Sequence, residues 1–397
     1  MRIIVVASLA YSLVNFRLTL LREMVVAGHD VIACGPEHDA EVCRALASIG
    51  VRYRRIPMRR ANMNPLGDLY TLMHLVLMFR AEAPDVVLAY TQKPIIYAGL
   101  ATRLIGKCRF YAMVSGLGFV FSDSNRNLHL RRLVAWLYRI AIRRARAIFV
   151  FNNDDRAEML RYHILSSDQV VVQVPGSGVD TRRFALQPLP AGAPIFLLIA
   201  RLLRDKGLVE FVEAARLVPG RCREARFQLL GPFDPNPAGI GPNEIKEWES
   251  NGIVEYLGET KDVVPYLAAS TVFVLPTYYR EGLPRTILEA MASGRAIITT
   301  DAPGCRETVV SGENGFLIPV RNSNALAEAM TRFVEDADLA RRMGIRSREF
   351  AEQKFSVELV NNIILRAMNL RATPDCDGDQ TASLDITLPD VTQPCVV

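Results

Sequence analysis

The strongest constraint in this chain is an alternation that runs through it twice. Strand candidates, most of them short apolar runs, lie at 3–7, 31–34, 53–56, 85–90, 110–114, 147–151 and 170–174. Between them, apolar residues recur at helical spacing near 15–27, 38–48, 66–82, 95–105, 126–145 and 153–162. Strands that are apolar on every residue are buried on both faces, and intervening helices are the crossovers of a parallel sheet. Pro188, Pro190, Gly192 and Pro194 then break the pattern as a linker. A second series follows, with apolar runs at 195–200, 227–230, 253–256, 272–275 and 296–300. Its helical segments lie near 206–217, 243–250, 262–269, 284–293, 323–335 and 338–353. The expected fold class is α/β, with two Rossmann-like doubly wound parallel-sheet units facing a cleft. Ligands of such sheets bind beyond the carboxyl ends of the strands.

The expected divisions are a first unit over 1–187, a second over 188–355, and a helix over 356–371 packing back on the first unit. From 372 to 397 the chain turns to Thr, Asp, Pro and Gly without periodicity, and reads as a flexible tail. With half of its 397 residues apolar, the chain can bury sizeable cores. No apolar stretch approaches the ~18 residues of a membrane span. The opening Met1-Arg2-Ile3-Ile4-Val5-Val6 reads as a buried strand rather than a signal peptide. Seven scattered Cys without a Cys-x-x-Cys pair point to a reducing cytosol, not to a disulfide framework or a zinc site.

The net charge of +5 conceals a split. Residues 1–186 carry 25 Lys+Arg against 14 Asp+Glu, and residues 187–397 carry 22 against 28. A basic first half calls for an anionic partner: a membrane surface, a diphosphate or a nucleic acid. Nucleic acid is the poorest of these, because the aromatics form no stacking platform and the second half is acidic. Hydride transfer is also disfavoured, since no Gly-x-Gly-x-x-Gly follows the first run.

Two segments of the second half carry chemistry. After the run at 272–275 comes Tyr278-Tyr279-Arg280-Glu281-Gly282-Leu283-Pro284-Arg285-Thr286-Ile287-Leu288-Glu289. Gly282 lets a backbone approach a ligand closely, and Pro284 suits a helix start, whose N–H groups favour an anion. Glu281 and Glu289 offer two carboxylates to sugar hydroxyls at separate points. The second segment is Arg201-Leu202-Leu203-Arg204-Asp205-Lys206-Gly207, just past the run at 195–200. Arg201 and Lys206 could converge on one diphosphate, the first as a fork and the second as a point charge.

On these two segments the chain resembles a retaining glycosyltransferase of the GT-B fold, in the large family four. That family carries Arg-x-x-x-x-Lys-Gly and a Glu, seven residues, Glu pattern. The resemblance implies that Arg201 and Lys206 hold the donor diphosphate, that Glu281 contacts the donor sugar, and that Glu289 binds the ribose. It implies donor contacts from Gly282, Leu283 and Pro284, with Thr286 in the same donor-binding segment. Coverage runs from about residue 1 to 370. Pro303-Gly304-Cys305-Arg306-Glu307-Thr308-Val309, Asn314-Gly315-Phe316, Ser115-Gly116-Leu117-Gly118 and Asn15-Phe16-Arg17 narrow the likeness. Together they resemble bacterial enzymes that extend saccharides on undecaprenyl diphosphate.

The likeness implies metal-independent transfer from a nucleotide sugar, with no cofactor, the leaving phosphate itself taking the acceptor proton. Two loops depart from the pattern. Residues 113–118 lack the His of many relatives, so the amides of Gly116–Gly118 are expected to face the sugar instead. Residues 8–12 lack the paired glycines. Asp375-Cys376-Asp377-Gly378-Asp379 mimics a metal motif but reads as a solvated acidic turn, and Asn152-Asn153-Asp154-Asp155 reads as a helix cap.

On the acceptor side, Asn15 and Arg17 are expected to open a helix after the first strand, with Lys93 beyond the fourth, all facing the cleft. Residues 126–146 interleave Arg126, Arg131, Arg132, Arg139, Arg143, Arg144 and Arg146 with Leu130, Leu133 and Trp136, a basic amphipathic helix suited to a lipid surface. The expected partners are therefore a nucleotide sugar donor, a lipid-linked saccharide acceptor and an anionic membrane surface. The expected location is the cytoplasmic face of the cell membrane, in cell-surface polysaccharide, lipopolysaccharide or O-antigen assembly. An epimerase of the same fold, or a GDP-sugar transferase with a soluble acceptor, remains the alternative.

Overall fold

The computed structural model describes residues 1–59, 64–121, 127–218, 225–236, 238–336 and 338–370. The first half forms a seven-stranded parallel sheet of β1 (Arg2–Val6), β2 (Asp30–Gly35), β3 (Arg52–Arg55), β4 (Val86–Tyr90), β5 (Arg109–Val114), β6 (Ala147–Val150) and β7 (Val171–Gln173). Its spatial order is β3-β2-β1-β4-β5-β6-β7, so the winding reverses between β1 and β4. Alternate residues of β1 feed two cores: Ile3 and Val5 one, Ile4 and Val6 the other. This is why the strand is apolar at every position from Ile3 to Val6. The helices are α1 (Ala10–Val26), α2 (Ala40–Ala47), α3 (Pro65–Glu82), α4 (Gln92–Ile105), α5 (Leu128–Ile142) and α6 (Asn153–Arg161).

The second half repeats the design with β8 (Ile195–Ile199), β9 (Arg226–Leu230), β10 (Glu255–Tyr256), β11 (Val272–Leu275), β12 (Ala296–Thr300) and β13 (Gly315–Ile318). Their order is β10-β9-β8-β11-β12-β13, again parallel, with its reversal between β8 and β11. The helices are α7 (Leu208–Leu217), α8 (Pro242–Ser250), α9 (Val264–Ala268), α10 (Arg285–Ala292), α11 (Ser323–Glu335), α12 (Leu339–Lys354) and α13 (Val357–Ala367). The loops that follow β1, β4, β8 and β11 therefore issue from the two switch points, where ligands of such sheets sit.

Several elements differ from the sequence expectation. Helix α1 starts at Ala10, five residues before the expected start at 15. Leu9 supplies no side-chain cap, and the Ala10 N–H instead donates to Glu37 Oε2 at 2.7 Å, a partner far away in sequence. Asn15 and Arg17 thus sit in the second turn rather than opening the helix. The edge strand β13 went unrecognised, being four residues long with a glycine at its start. A methyl at Gly315 would overlap the Ile297 carbonyl, so only glycine permits that pairing. The basic helix α5 is shorter than 126–146, and Arg143, Arg144 and Arg146 lie past its end. Arg126, the tail 372–397 and the acidic turn at Asp375 lie outside the described residues.

The last helix returns to the first half. Ser356 caps α13, Asn361 Nδ2 donates to Glu23 Oε1 on α1 at 2.7 Å, and Tyr111 Oη donates to the Met368 carbonyl at 3.3 Å. A ring nitrogen of His29 lies 3.2 Å from the Leu370 carbonyl. The linker is fixed by Arg295, which is fully buried and donates to the carbonyls of Gln187, Pro188 and Ser270. No helix among the described residues is long and apolar enough to cross a membrane.

Candidate active site

At the carboxyl edge of the second sheet, the loop after β8 holds the loop after β11 through one carbonyl. Asp205 O accepts from the N–H groups of Tyr278 and Tyr279 and from Thr277 Oγ1, each at 3.0 Å. This brings Lys206 to Glu281: the ammonium donates to Glu281 Oε1 and lies 5.1 Å from the Tyr279 ring centroid. Both side chains are largely enclosed, at 13% and 15% exposure. Each charge of the pair is satisfied by the other.

Gly282 is where the two halves meet. A methyl on it would overlap the Ser115 carbonyl, and one on Gly116, at φ +114°, would meet Gly282 N at 2.9 Å. Neither position tolerates a side chain, because backbone packs directly on backbone. From the first half, Asn152 Nδ2 donates to Gly282 O at 2.6 Å. Its Oδ1 accepts the Asp155 N–H at 2.6 Å, capping α6. The cap was legible in sequence, but the bond to Gly282 was not. Gly116 therefore lies against the loop after β11. Leu283 packs beside Gly176, Pro284 stands at the N-cap of α10, and Thr286 is half-buried in its first turn.

Glu289 is buried at 7% exposure, and its Oε1 accepts Arg285 Nε at 2.8 Å. Burial raises its proton affinity, against the pull of Arg285 and Arg183. Arg285 also donates through Nη1 to the Asn15 carbonyl and lies over the Phe16 ring at 5.2 Å. Sequence reasoning passed over Arg285, since nothing in its spacing marks a residue that crosses between units.

Three expected cations are placed differently from the simple picture. Arg201 does not stand free for a diphosphate: it pairs with Asp234 at 2.5 Å and is 44% exposed. Lys93 pairs with Asp68 of α3 at 3.0 Å, so its charge is answered within the first half. Arg17, expected to face the cleft, is 3% exposed and lies 5.3 Å from the Tyr90 ring and 5.7 Å from that of Phe151. Burial, and then the nearby Arg285 charge against the help of Tyr90, brings its guanidinium down to about 10.

An acidic face on α6 completes the junction. Glu158 faces Arg280 at 3.7 Å, and Asp154 meets Arg306 at 3.1 Å. Asp155 is fully buried, its Oδ1 lacks a partner, and burial lifts its carboxyl to about 6 despite Arg280 and the Asn152 amide. Burial likewise raises Glu307 to about 6. Among the described residues no three His, Cys, Asp or Glu side chains cluster as metal ligands.

Comparison with known proteins agrees with this architecture. A family model described as "Glycosyl transferase 4-like domain" matches residues 15–176, and one described as "Glycosyl transferases group 1" matches 193–336. The N,N'-diacetylbacillosaminyl-diphospho-undecaprenol alpha-1,3-N-acetylgalactosaminyltransferase of Campylobacter jejuni is 28% identical over 355 residues, spanning 85% of this chain and 91% of that protein. The UDP-Gal:alpha-D-GlcNAc-diphosphoundecaprenol alpha-1,3-galactosyltransferase of Escherichia coli is 25% identical over 304 residues, spanning 72% and 76%. Among solved structures, sucrose-phosphate synthase from Thermosynechococcus elongatus superposes with TM-score 0.75 at 20% identity, covering 93% of this chain and 98% of that one. Anabaena HepE in complex with UDP gives TM-score 0.75 at 17% identity, covering 93% and 100%. The structural likenesses concern the fold. The chain belongs to the family-4-like glycosyltransferases of GT-B fold.

Proposed function

We propose that the enzyme is a retaining, metal-independent transferase that moves a hexose or N-acetylhexosamine from a UDP-linked sugar to a polyprenyl-diphosphate-linked saccharide. Residues 1–187 hold the acceptor and 188–355 the donor, with the helix over 356–371 belonging to the first unit. The observation that carries this reading is the Lys206–Glu281 pair beside the Gly116–Gly282 contact. An arriving diphosphate competes for Lys206 and releases Glu281 toward the sugar. Arg201, turned from Asp234, joins Lys206 on the leaving diphosphate, whose charge grows in the transition state. The amides near Gly116 and Gly282 line the sugar, and Glu289 turns to the ribose.

In this mechanism the new bond forms on the face that the leaving group departs from. The leaving phosphate oxygen takes the acceptor proton, and no dedicated base is required. The relatives from Campylobacter jejuni and Escherichia coli, whose names state diphospho-undecaprenol acceptors, support a lipid-linked acceptor for this chain. The outer faces of the first unit support a membrane-facing position at the cytoplasmic leaflet. Helix α3 exposes Leu66, Leu69, Tyr70, Met73 and Leu77, and α5 exposes Leu133 and Trp136 beside Arg132 and Arg139.

The test is a panel of nucleotide sugars against prenyl-diphosphate saccharides, with the product's anomeric configuration read by NMR. Transfer with retention from a UDP-sugar is expected in the presence of a chelator. An inverted product, or a strict metal requirement, overturns the mechanism. Liposome flotation tests the membrane face: binding is expected to rise with anionic lipid and fall with salt.

A further inference from the structure

Asn152 meets the second unit with a side-chain amide that two groups of Asp155 hold in place. Its Nδ2 donates to Gly282 O at 2.6 Å and to Asp155 Oδ2 at 3.0 Å, and lies 3.4 Å from Glu281 O. Its Oδ1 accepts the Asp155 N–H at 2.6 Å. Both residues are fully buried. A carboxamide keeps nearly the same outline when its oxygen and nitrogen exchange places. Exchanged here, the oxygen would face the carbonyls of Glu281 and Gly282 and the Asp155 carboxylate, acceptor against acceptor. The Asp155 N–H opposes that exchange once, and the Asp155 carboxylate opposes it again. Any residue but proline supplies the first; only an acceptor-bearing side chain at 155 supplies the second.

Helix formation does not explain this carboxyl group. Helix α6 is already capped by Asn152 Oδ1, and Asp154 already places an acid in its first turn. Burying a carboxyl group is costly, and Asp155 leaves its Oδ1 without a partner. A polar group kept on such terms calls for a reason beyond packing. The contacts across the junction supply one. A methyl on Gly304 would meet Gly282 O at 2.6 Å and Glu281 O at 2.7 Å, so the two carbonyls that Asn152 approaches are also packed against Gly304. The Glu281 side chain ends on Lys206. Three residues beyond Asp155, Glu158 faces Arg280 of the same loop at 3.7 Å. A shift of the Asn152 amide therefore moves the backbone that carries the Glu281 carboxylate. We infer that Asp155 is a positioning residue for glycosyl transfer: its carboxylate fixes the Asn152 amide with the nitrogen toward the second unit, and so sets Glu281 and Gly282 against the sugar. This rests on the assignment of Glu281 to the donor sugar proposed above. Asp155 touches no substrate and acts only through Asn152. What the position requires is an acceptor atom where Oδ2 stands, not a charge.

The test compares Asp155→Ala, Asp155→Asn and Asn152→Ser in the full chain. Asparagine keeps an oxygen where Oδ2 stands, and serine at 152 keeps a cap for α6 while removing the amide. The first arm is hydrogen exchange without ligand, read by mass spectrometry. In Asp155→Ala, peptides spanning 279–284 are expected to exchange about tenfold faster than in wild type, with those of β1 and β8 unchanged. Asp155→Asn is expected to restore the wild-type rate. Asn152→Ser is expected to match Asp155→Ala, and the double variant to add nothing further, as for residues that act through one another. The second arm is turnover with the donor and acceptor pair that the nucleotide-sugar panel selects. There kcat is expected to fall about tenfold or more in Asp155→Ala and to stay within about threefold of wild type in Asp155→Asn. Faster exchange confined to α6, with 279–284 unchanged, overturns the inference, as does an equal loss of kcat in Asp155→Asn and Asp155→Ala. If Asp155→Ala does not fold, Asp155→Ser takes its place, and a loss of about tenfold in Asp155→Asn overturns the inference by itself. A wild type that transfers sugar from no nucleotide donor overturns the reading beneath it instead, while the exchange arm still decides the link from Asp155 through Asn152.

Discussion

The side-chain amide of Asn152, in the first half of the chain, donates to the carbonyl oxygen of Gly282, in the second, at 2.6 Å. The same amide group caps α6 through its oxygen, so one residue fixes a helix start and the loop after β11 together. Asn152→Ala removes both bonds. Loss of a cap costs about 1 kcal/mol, and an unmet buried carbonyl adds about 1–3 kcal/mol. The expected outcome is a melting temperature lower by several degrees and a rise in donor KM larger than the change in acceptor KM. Steady-state kinetics with each substrate varied checks it.

Gly282→Ala tests the backbone contact itself. The added methyl overlaps the Ser115 carbonyl, so the units must separate or the loop must move. A displacement of about 1 Å at a reacting centre costs about a hundredfold in rate. The variant is expected to keep its circular dichroism spectrum while kcat falls by that order. Gly116→Ala adds strain from its positive φ and is expected to fall at least as far.

Glu281→Gln and Lys206→Ala separate the two members of the ion pair. Each is expected to lower turnover on the order of a hundredfold or more, as loss of a transition-state contact does. Only Lys206→Ala is expected to weaken UDP itself, because Glu281 is assigned to the sugar. Equal loss of UDP affinity in both variants would contradict that division.

The buried Asp155 is expected to give the fold a pH dependence. Its carboxyl is raised to about 6, above the ~3.9 of an unfolded chain. The stability carried by the protonated form is whole below pH 4 and drains away as pH climbs through 6. Asp155→Asn cannot ionise and escapes this loss. Its melting temperature, relative to wild type, is expected to gain roughly 5 °C between pH 4.5 and pH 7.5. Differential scanning calorimetry across that range checks it, and a pH-independent difference would contradict it.

The fold was legible because its rule is local. An apolar run buried on both faces, followed by a helical stretch, announces a parallel strand wherever it occurs, and β1, β4, β5, β8 and β11 all obey it. Strands that break the rule were harder: β13 is short and begins at a glycine, and β10 keeps only Glu255 and Tyr256. The segments that hold Lys206 and Glu281 were also locatable, because each follows a strand that sequence alone locates. What sequence could not carry was the pairing between units. Nothing near Asn152 names Gly282, nothing near Arg285 names Asn15, and nothing near Arg17 says that α1 begins at Ala10 and turns it inward. Those relations depend on how two separately coded sheets meet, which is a property of packing rather than of spacing.

In the proposed reading, Lys206, beside Glu281 and Gly282, grips the diphosphate of a nucleotide sugar. Its most direct test is calorimetric titration of UDP into the wild type and into Lys206→Ala, with the fold of each checked by circular dichroism. One UDP is expected to bind per wild-type chain, with at least a tenfold weaker association in the variant. Equal affinity in the two proteins, or no heat of binding in the wild type, would contradict it.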